Sequence, residues 1–194
     1  MLDTHGRKYF NPIIDWAAEV FLKIGFKANT ITTLALILGV VTLPLILVGE
    51  YISAVIILWI SGFLDAVDGS MARKTKTSSS IGTLMDITFD RIVELIIIVA
   101  LAIKFEESRM IMLILISCIL ISMTIFLTVG ALVENKGIKS FHYQAGIAER
   151  TEGFIMFSLM IILNSHLILI TGIFIIIILI TIIQRIIEAK DILR

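Results

Sequence analysis

The chain has 194 residues, a formal net charge of zero and a hydrophobic content of 58%, with a mean hydropathy of +1.05. These values exclude an ordinary soluble domain and predict an all-α integral membrane protein. Because acidic and basic residues balance, the composition gives no reason to expect nucleic-acid binding.

Residues 1–28 are predicted to form an amphipathic juxtamembrane helix. Asn11-Pro12 is typical of a helix start with Pro12 in the first turn, and Gly25 is predicted to end the helix. Apolar residues recur between charged ones at helical spacing, which suits a helix in the membrane interface with Trp16 near the headgroups. The alternative is a soluble helix packed on a partner, which the membrane domain that directly follows makes the weaker interpretation.

Residues 29–194 are predicted to form one membrane domain of six transmembrane helices. Six spans place both termini on one side of the membrane. That side holds thirteen of the sixteen Lys and Arg residues, so the positive-inside rule assigns it to the cytoplasm. The spans are expected at about 29–48, 52–73, 81–103, 110–131, 149–163 and 167–187.

Four aspartates lie at the cytoplasmic ends of the second and third spans. Asp65 and Asp68 are three residues apart. Asp86 and Asp90 are four apart, so each pair lies on one helical face. The polar segment 74–80 is long enough to turn a helical hairpin and bring the faces together. Converging carboxylates repel one another unless cations lie between them, and the lack of Cys or His favours Mg²⁺ or Mn²⁺ over Zn²⁺. We therefore predict a metal site, with two ions, whose ligands are Asp65, Asp68, Asp86 and Asp90.

Small residues and one arginine accompany these aspartates. Gly69, Ala72 and Gly82 leave room for a ligand or an opposing backbone to approach closely. Arg73 offers a planar fork suited to a phosphate. With a metal site nearby, these residues indicate a substrate that carries a diphosphate. The alternative is that the aspartates form structural salt bridges, although few cations lie near them in the sequence.

The whole stretch resembles the signature of the CDP-alcohol phosphatidyltransferase family at its eight fixed positions, which read Asp65-x2-Asp68-Gly69-x2-Ala72-Arg73-x8-Gly82-x3-Asp86-x3-Asp90. The resemblance implies metal-dependent transfer of a phosphatidyl or related lipid phosphate group from a CDP-alcohol, such as CDP-diacylglycerol, to a hydroxyl acceptor. CMP is released, and the product enters phospholipid synthesis. The family also implies a homodimer and a general base at Asp90. A CDP pocket is implied at Asp68, Gly69, Ala72, Arg73 and Gly82.

The start of the first span adds two candidates for the nucleotide site. Asn29 and Thr32 resemble the family's first-helix pattern, in which the Asn follows a Pro that is replaced here by Ala28. The resemblance implies that both side chains contact the nucleotide. The alternative is that Asn29 is the N-cap and that Thr32 bonds back to its own helix.

The acceptor site is predicted from a narrower resemblance, to phosphatidylinositol-phosphate synthases. Segments 147–152 and 184–185 are similar to their fifth and sixth helices, where arginines hold the phosphate of the acceptor. This similarity implies that Arg150 and Arg185 bind a phosphorylated polyol, either inositol phosphate or glycerol 3-phosphate. The alternative is that both arginines are interfacial residues that snorkel toward water.

Two departures weaken that narrower resemblance. Gly153 stands where the fifth-helix motif has a second Arg, and residues 127–130 replace a basic run at the end of the fourth helix. Lys136 or Lys139 is expected to compensate from the following loop. A non-phosphorylated acceptor, inositol or serine, therefore stays an alternative.

Two other classes of protein carry similar residues. With water as the nucleophile, the same site would hydrolyse a CDP-lipid. A transporter also places carboxylates in the membrane, but it more often has internal repeats and broken helices at the midplane. We find no repeat, and the aspartates lie toward one membrane face, so the sequence favours a transferase at the cell membrane whose active site faces the cytoplasm.

Overall fold

The computed structural model describes residues 2–77, 79–133, 146–147 and 149–193. Within these ranges the secondary structure is helical, with no β-strand. The chain divides into two compact units, one formed by Thr4–Glu106 and the other formed mainly by the residues from Glu107 onward. The described helices are α1 (Leu2–Ile24), α2 (Ala28–Val48), α3 (Tyr51–Thr75), α4 (Ser80–Lys104), α5 (Arg109–Leu132), α6 (Arg150–Ile162) and α7 (Leu167–Ile192), with short 3₁₀ turns at Glu106–Ser108 and Asn164–His166.

Four segments of the described chain are long and apolar enough to cross a membrane: Ala28–Val48, Tyr51–Thr75, Glu106–Leu132 and Asn164–Ile192. They agree with an integral membrane protein. Helix α4 is not among them, since its first half carries the acidic residues of the predicted metal site. Helix α6 has 13 residues, or about 20 Å, which is shorter than the ~30 Å hydrocarbon core. The third and fifth predicted spans therefore stay predictions.

Helix α1 begins earlier than the sequence suggested. The prediction of a start at Asn11-Pro12 is wrong, because α1 begins at Leu2 and runs through Pro12. Proline fixes φ near the helical value, so the helix can lose one backbone hydrogen bond there without ending. Gly25 ends the helix as predicted, with a left-handed φ of 96°, and the backbone N–H groups that follow bond back into the last turn.

Apolar side chains cover two faces of α1. The outer face is exposed, with Phe10 at 64% and Trp16 at 66%. The inner face packs on helices α2 and α3 of the same chain. That face therefore does not need a separate protein partner to cover it. The buried residues of this cluster are Ile14, Ala17 and Ala18 of α1, Ile31 and Ala35 of α2, and Leu64, Val67 and Met71 of α3.

Helix α2 approaches both α3 and α4 closely through small residues. The Ser61 hydroxyl of α3 donates a buried hydrogen bond of 2.7 Å to the Ala35 carbonyl of α2. At Gly39 of α2, an added Cβ would lie 2.3 Å from Cγ2 of Val93 on α4. Such a distance allows no side chain, so glycine lets the two backbones come together here.

We expect Gly39→Ala to lower the thermal unfolding midpoint of the detergent-solubilised protein. The new methyl group would push against Val93, a stiff β-branched side chain that is buried and has little room to move. Overpacking of this kind costs about 1–3 kcal/mol. Gly172→Ala on α7 is the matched control, because its nearest neighbour, Cδ1 of Ile111, lies at 4.0 Å. Restoration of the midpoint by Gly39→Ala with Val93→Ala supports the steric cause, and an unchanged single variant contradicts it.

The second unit is built on α7, which packs against α5 and α6. Phe157 of α6 meets Phe174 of α7 edge to face, with ring centroids 5.3 Å apart. The chain just before α6 also rests on α7, since the Ile147 backbone N–H donates to Gln184 Oε1 at 3.2 Å. A Cβ at Gly146 would lie 2.4 Å from Thr181 Cγ2, so this approach requires glycine.

Candidate functional site

Three carboxylates converge where α3 ends and α4 begins. One oxygen from each of Asp65, Asp68 and Asp86 lies within 4.8 Å of the other two. Asp65 and Asp68 are buried in the last turns of α3, while Asp86 on α4 is exposed. The predicted hairpin therefore brings together two acidic residues from one helix and one from the next.

Local capping explains why the hairpin turns where it does. Helix α3 is followed by Lys76 in the left-handed conformation, with φ of 54°. Helix α4 has Ser79 as its N-cap, whose hydroxyl accepts a 3.0 Å hydrogen bond from the Gly82 backbone N–H. These caps separate the two helices by a few residues, so Asp86 comes near the end of α3.

The donor set fits a hard divalent cation. Three carboxylate oxygens within one ion's reach are the ligands that Mg²⁺ and Mn²⁺ prefer, and the described group contains no sulfur or imidazole donor. Asp65 and Asp68 are taken out of water, so a cation between them would offset a costly repulsion. The exposed side chain of Asp86 leaves one side of the group open to a ligand.

Asp90 lies one turn after Asp86 on α4 and is partly buried, but the group of three does not include it. The next residue, Arg91, donates a 2.5 Å hydrogen bond to Glu94 Oε2. This ion pair at i,i+3 holds the Arg91 charge along the helix. The structure thus gives Asp90 a position beside the three carboxylates rather than among them.

The small residues and the arginine lie at the same end of the hairpin. Arg73 is exposed, and its Nη1 lies 3.3 Å from where a Cβ of Gly69 would be, so the guanidinium folds back along α3. Ala72, which lies between Gly69 and Arg73 in the sequence, is partly buried. The Asn29 Oδ1 atom lies 3.7 Å from the corresponding point at Gly82, which brings the start of α2 to the first turn of α4.

For Asn29 the structure contradicts the alternative role as a helix cap, whereas for Thr32 it shows the alternative bond within its own helix. Asn29 is not the N-cap that the alternative required, because α2 begins at Ala28 with Lys27 as its N-cap. The Thr32 hydroxyl does bond back to its own helix, donating to the Ala28 carbonyl at 3.1 Å. Its oxygen keeps lone pairs that can accept a bond, but its proton is already used.

The two predicted acceptor-binding arginines have different surroundings. Arg185 is only 7% exposed, which contradicts the alternative of a snorkelling residue. Its Nη1 donates to the carbonyl and the hydroxyl of Ser122 on α5, both at 2.9 Å, and its guanidinium lies 5.0 Å from the centre of the Phe126 ring. Arg150 is partly exposed and lies over the Phe154 ring at 5.7 Å. Lys136 and Lys139 lie outside the described residues.

Sequence reasoning missed Ser122 and Phe126, the two residues that contact the Arg185 guanidinium. Ser122 and Phe126 lie in the predicted fourth span, which carries no Asp, Glu, Lys, Arg or His. A serine in an apolar helix gave no pattern from which a contact with Arg185 could be read. The link between Ser70 of α3 and Asp15 of α1 was likewise unforeseen.

Comparison with known proteins gives a consistent set of relatives. The model of the CDP-alcohol phosphatidyltransferase family matches residues 26–184. Inner membrane protein YnjF of Escherichia coli is 28% identical over 169 residues, covering 82% of this chain and 81% of that protein. A phosphatidylinositol phosphate synthase of Corynebacterium glutamicum is 33% identical over 95 residues, which is 48% of this chain and 43% of that protein.

Solved structures show the same fold. The crystal structure of Mycobacterium tuberculosis phosphatidylinositol phosphate synthase with CDP-DAG bound has a TM-score of 0.70 at 22% identity, covering 92% of this chain and 94% of that one. The complex of the same synthase with manganese and citrate has a TM-score of 0.74 at 21% identity, covering 91% and 88%.

Proposed function

We propose a reaction from one plain premise: this chain belongs to the CDP-alcohol phosphatidyltransferase family and is a transferase enzyme. The proposed donor is a CDP-lipid such as CDP-diacylglycerol, and the proposed products are CMP and a phosphodiester lipid. The observation that carries the proposal is the convergence of Asp65, Asp68 and Asp86 at the end of the hairpin. Carboxylates placed in a membrane domain are costly and mark functional sites.

The proposed step is a displacement at the phosphorus that bears the lipid. The hydroxyl oxygen of the acceptor forms a bond to this phosphorus, and its proton passes to the Asp90 carboxylate. The bond between this phosphorus and the bridging diphosphate oxygen breaks, and CMP leaves with the electron pair. No oxidant or further reactant is needed. Asp90 suits this role because it lies one turn from Asp86 without joining the group of three.

Asp65, Asp68 and Asp86 are the proposed holders of the divalent cations, Mg²⁺ or Mn²⁺ and two in number, and Asp90 is a further ligand candidate. When bound, such ions stabilise negative charge on a diphosphate and its leaving group. The manganese in the complex of the Mycobacterium tuberculosis synthase supports a divalent ion of this kind.

The proposed CDP pocket lies along the same end of the hairpin. We assign Asp68 of α3 to this pocket together with Gly69, Ala72 and Gly82, because small residues add little side-chain bulk where a nucleotide must approach closely. Arg73 provides a cation for a phosphate, since its guanidinium folds back to Gly69. Asn29 is a candidate contact because its side chain reaches the first turn of α4, and Thr32, one turn further along α2, is a weaker one.

The proposed acceptor is a phosphorylated polyol, inositol phosphate or glycerol 3-phosphate. The relative from Corynebacterium glutamicum supports this choice by name, because it is a phosphatidylinositol phosphate synthase. Arg150 and Arg185 are the proposed phosphate ligands. Lys136 and Lys139 are further candidates, which would compensate for the basic run that residues 127–130 replace. The buried, doubly bonded guanidinium of Arg185 is a fixed cation rather than a solvated one, which suits a specific anion site. Inositol or serine is the second candidate acceptor, favoured by Gly153, which gives α6 no second arginine.

The proposed topology keeps six spans, with residues 1–28 as an interfacial helix and 29–194 as the catalytic domain. The exposed Phe10 and Trp16 of α1 support contact with the membrane interface. The distribution of Lys and Arg supports a cytoplasmic site, from which soluble CMP can leave. A homodimer is proposed from family membership alone.

The reaction can be tested by measuring CMP release from purified protein with CDP-diacylglycerol and Mg²⁺. Parallel samples would contain inositol phosphate, glycerol 3-phosphate, inositol, serine or no acceptor, and one set would contain EDTA. Metal-dependent release with one acceptor supports the transferase and identifies the product. Release at the same rate without an acceptor indicates a hydrolase. No binding of the CDP-lipid and no release would overturn the proposal.

We expect Arg185→Lys to raise KM for a phosphorylated acceptor about tenfold or more, with KM for the CDP-lipid unchanged. Lysine keeps the charge but loses the planar guanidinium, in which Nη1 bonds Ser122 and the other N–H groups are the proposed donors to a phosphate. Lys190→Ala, an exposed basic residue on the same helix, is the matched control. An unchanged KM for the phosphorylated acceptor in Arg185→Lys would remove Arg185 from the acceptor site.

A further inference from the structure

Helix α1 is bonded to the turn of α3 that carries the proposed CDP pocket. The Ser70 hydroxyl, almost completely buried, donates a 2.6 Å hydrogen bond to Asp15 Oδ1. Ser70 directly follows Gly69 of the pocket. A hydroxyl-to-carboxylate bond of this length is of the strong, charge-assisted kind. Residues 55 apart in sequence are thus joined next to the pocket.

A second contact lies one turn further along α3. The Lys74 Nζ atom donates to the Asp15 carbonyl at 3.0 Å and to Glu19 Oε1 at 2.6 Å. The ammonium of Lys74 is therefore held by α1, whereas the guanidinium of its neighbour Arg73 folds back to Gly69. The two adjacent cations thus have different partners, and Arg73 is the one that lies along the proposed pocket.

The charge state of this contact is set by Lys74. Its hydrogen bond, and then its charge, hold the pKa of Glu19 below the ordinary value of 4.5, and Lys23 lowers it further, against small opposing effects of burial and of Asp15. A lowered pKa means that the stabilisation is complete above the unfolded-state value and is lost as the pH falls through the folded-state value. The contact is therefore intact at neutral pH.

Helical spacing places this contact behind the pocket. Ser70 and Lys74 are four residues apart and share one face of α3. Asp68 and Ala72 are also four apart, and a rotation of 100° per residue puts their face on the other side of the helix from Lys74. Helix α1 thus contacts the face of α3 that carries Ser70 and Lys74. The face that carries Asp68 and Ala72 points to the other side of the helix.

We propose that Asp15 is a positioning residue for the CDP-lipid site: by bonding Ser70 and Lys74, it fixes the last turn of α3 and so the pocket from Gly69 to Arg73. This inference rests on the proposed function, since it assigns that turn to the nucleotide. Asp15 does not contact the reacting atoms. It acts through Ser70, so its loss affects capture of the CDP-lipid more than the chemical step.

The test compares Asp15→Ala, Asp15→Asn and Ser70→Ala in binding of CDP-diacylglycerol and in CMP release. We expect Asp15→Ala and Ser70→Ala each to raise Kd and KM for the CDP-lipid about tenfold or more, in line with the loss of one hydrogen bond to a charged group. The value of kcat and the metal concentration for half-maximal rate should stay within about twofold. Asp15→Asn should fall between wild type and Asp15→Ala, because its amide oxygen still accepts from Ser70 but carries no charge.

The matched control is Glu50→Ala, which removes a carboxylate that accepts from Ser53 at the other end of α3, at 3.5 Å. This variant should leave both constants unchanged. Asp15→Ala combined with Ser70→Ala should be no worse than either alone, because both remove the same bond. If Asp15→Ala fails to fold, Ser70→Ala carries the test alone, since it removes only a hydroxyl group.

Two results would overturn the inference. In the first, the wild type transfers the lipid phosphate while Ser70→Ala keeps the wild-type Kd and KM. In the second, kcat and the melting temperature of the Asp15→Ala and Ser70→Ala variants fall while KM is unchanged, which indicates a purely structural role. Either result is compatible with the proposed function. A wild type that neither binds nor uses a CDP-lipid would end the proposed function and this inference with it.

Discussion

Asp68→Asn is expected to abolish metal-dependent CMP release, with a loss of a thousandfold or more, on the order of 4 kcal/mol in the barrier. The side chain is 5% exposed and belongs to the group in which three carboxylate oxygens lie within 4.8 Å of one another. Asparagine keeps the shape but removes the charge, so the group would hold a divalent cation less tightly. Both rate and metal affinity should fall together. They can be measured as CMP release against metal concentration and as Mn²⁺ binding.

Glu50→Gln is the matched control for this change, because it neutralises an exposed acid at the opposite end of α3. It should leave the rate and the Mn²⁺ affinity at wild-type values. If Asp68→Asn kept its Mn²⁺ affinity and most of its rate, Asp68 would not be a metal ligand. The alternative that the aspartates form structural salt bridges would then be favoured. Far-UV circular dichroism would establish that both variants are folded.

The acidic hairpin could be predicted because its causes are local. Spacings of three and four residues put each pair of aspartates on one helical face, and the polar residues between them indicate a turn. Capping by Ser79 and the left-handed Lys76 then decide where the helices end. Each of these signals acts over a few residues. The structure accordingly brings Asp65, Asp68 and Asp86 together, much as the sequence indicates.

Contacts between distant helices could not be predicted in the same way. Asp15 and Ser70 are 55 residues apart, and Arg185 and Ser122 are 63 apart. Whether such polar residues meet depends on the rotation and crossing of whole helices, which periodicity does not define. The close approach at Gly39 is similar, because a glycine in an apolar helix indicates little until its neighbour is known.

The remaining errors arose from signals that have two meanings. Asn11-Pro12 is common at helix starts, but proline is also compatible with the φ of a continuing helix, and α1 continues through it. An N-cap at Asn29 was reasonable from its side chain, yet α2 begins one residue earlier. Local propensity does not define where a helix begins when packing against neighbouring helices contributes more to its stability.

Asp90→Asn should separate turnover from metal binding. The structure places Asp90 one turn after Asp86 but outside the group of three carboxylates. A residue that takes the acceptor's proton without holding the metal should lose about 10²- to 10⁴-fold in kcat when it becomes an amide. The Mn²⁺ affinity and the Kd for CDP-diacylglycerol should stay within about threefold of wild type.

Asp86→Asn provides the contrast on the same helix, one turn away. Because Asp86 contributes an oxygen to the group of three, its variant should lose Mn²⁺ affinity together with rate, and higher metal concentrations should restore part of the rate. Asp90→Asn should not be rescued by metal, since no concentration of cation replaces a proton acceptor. Rescue of both variants by metal would make Asp90 a fourth ligand, and the base would have to be sought elsewhere in the chain.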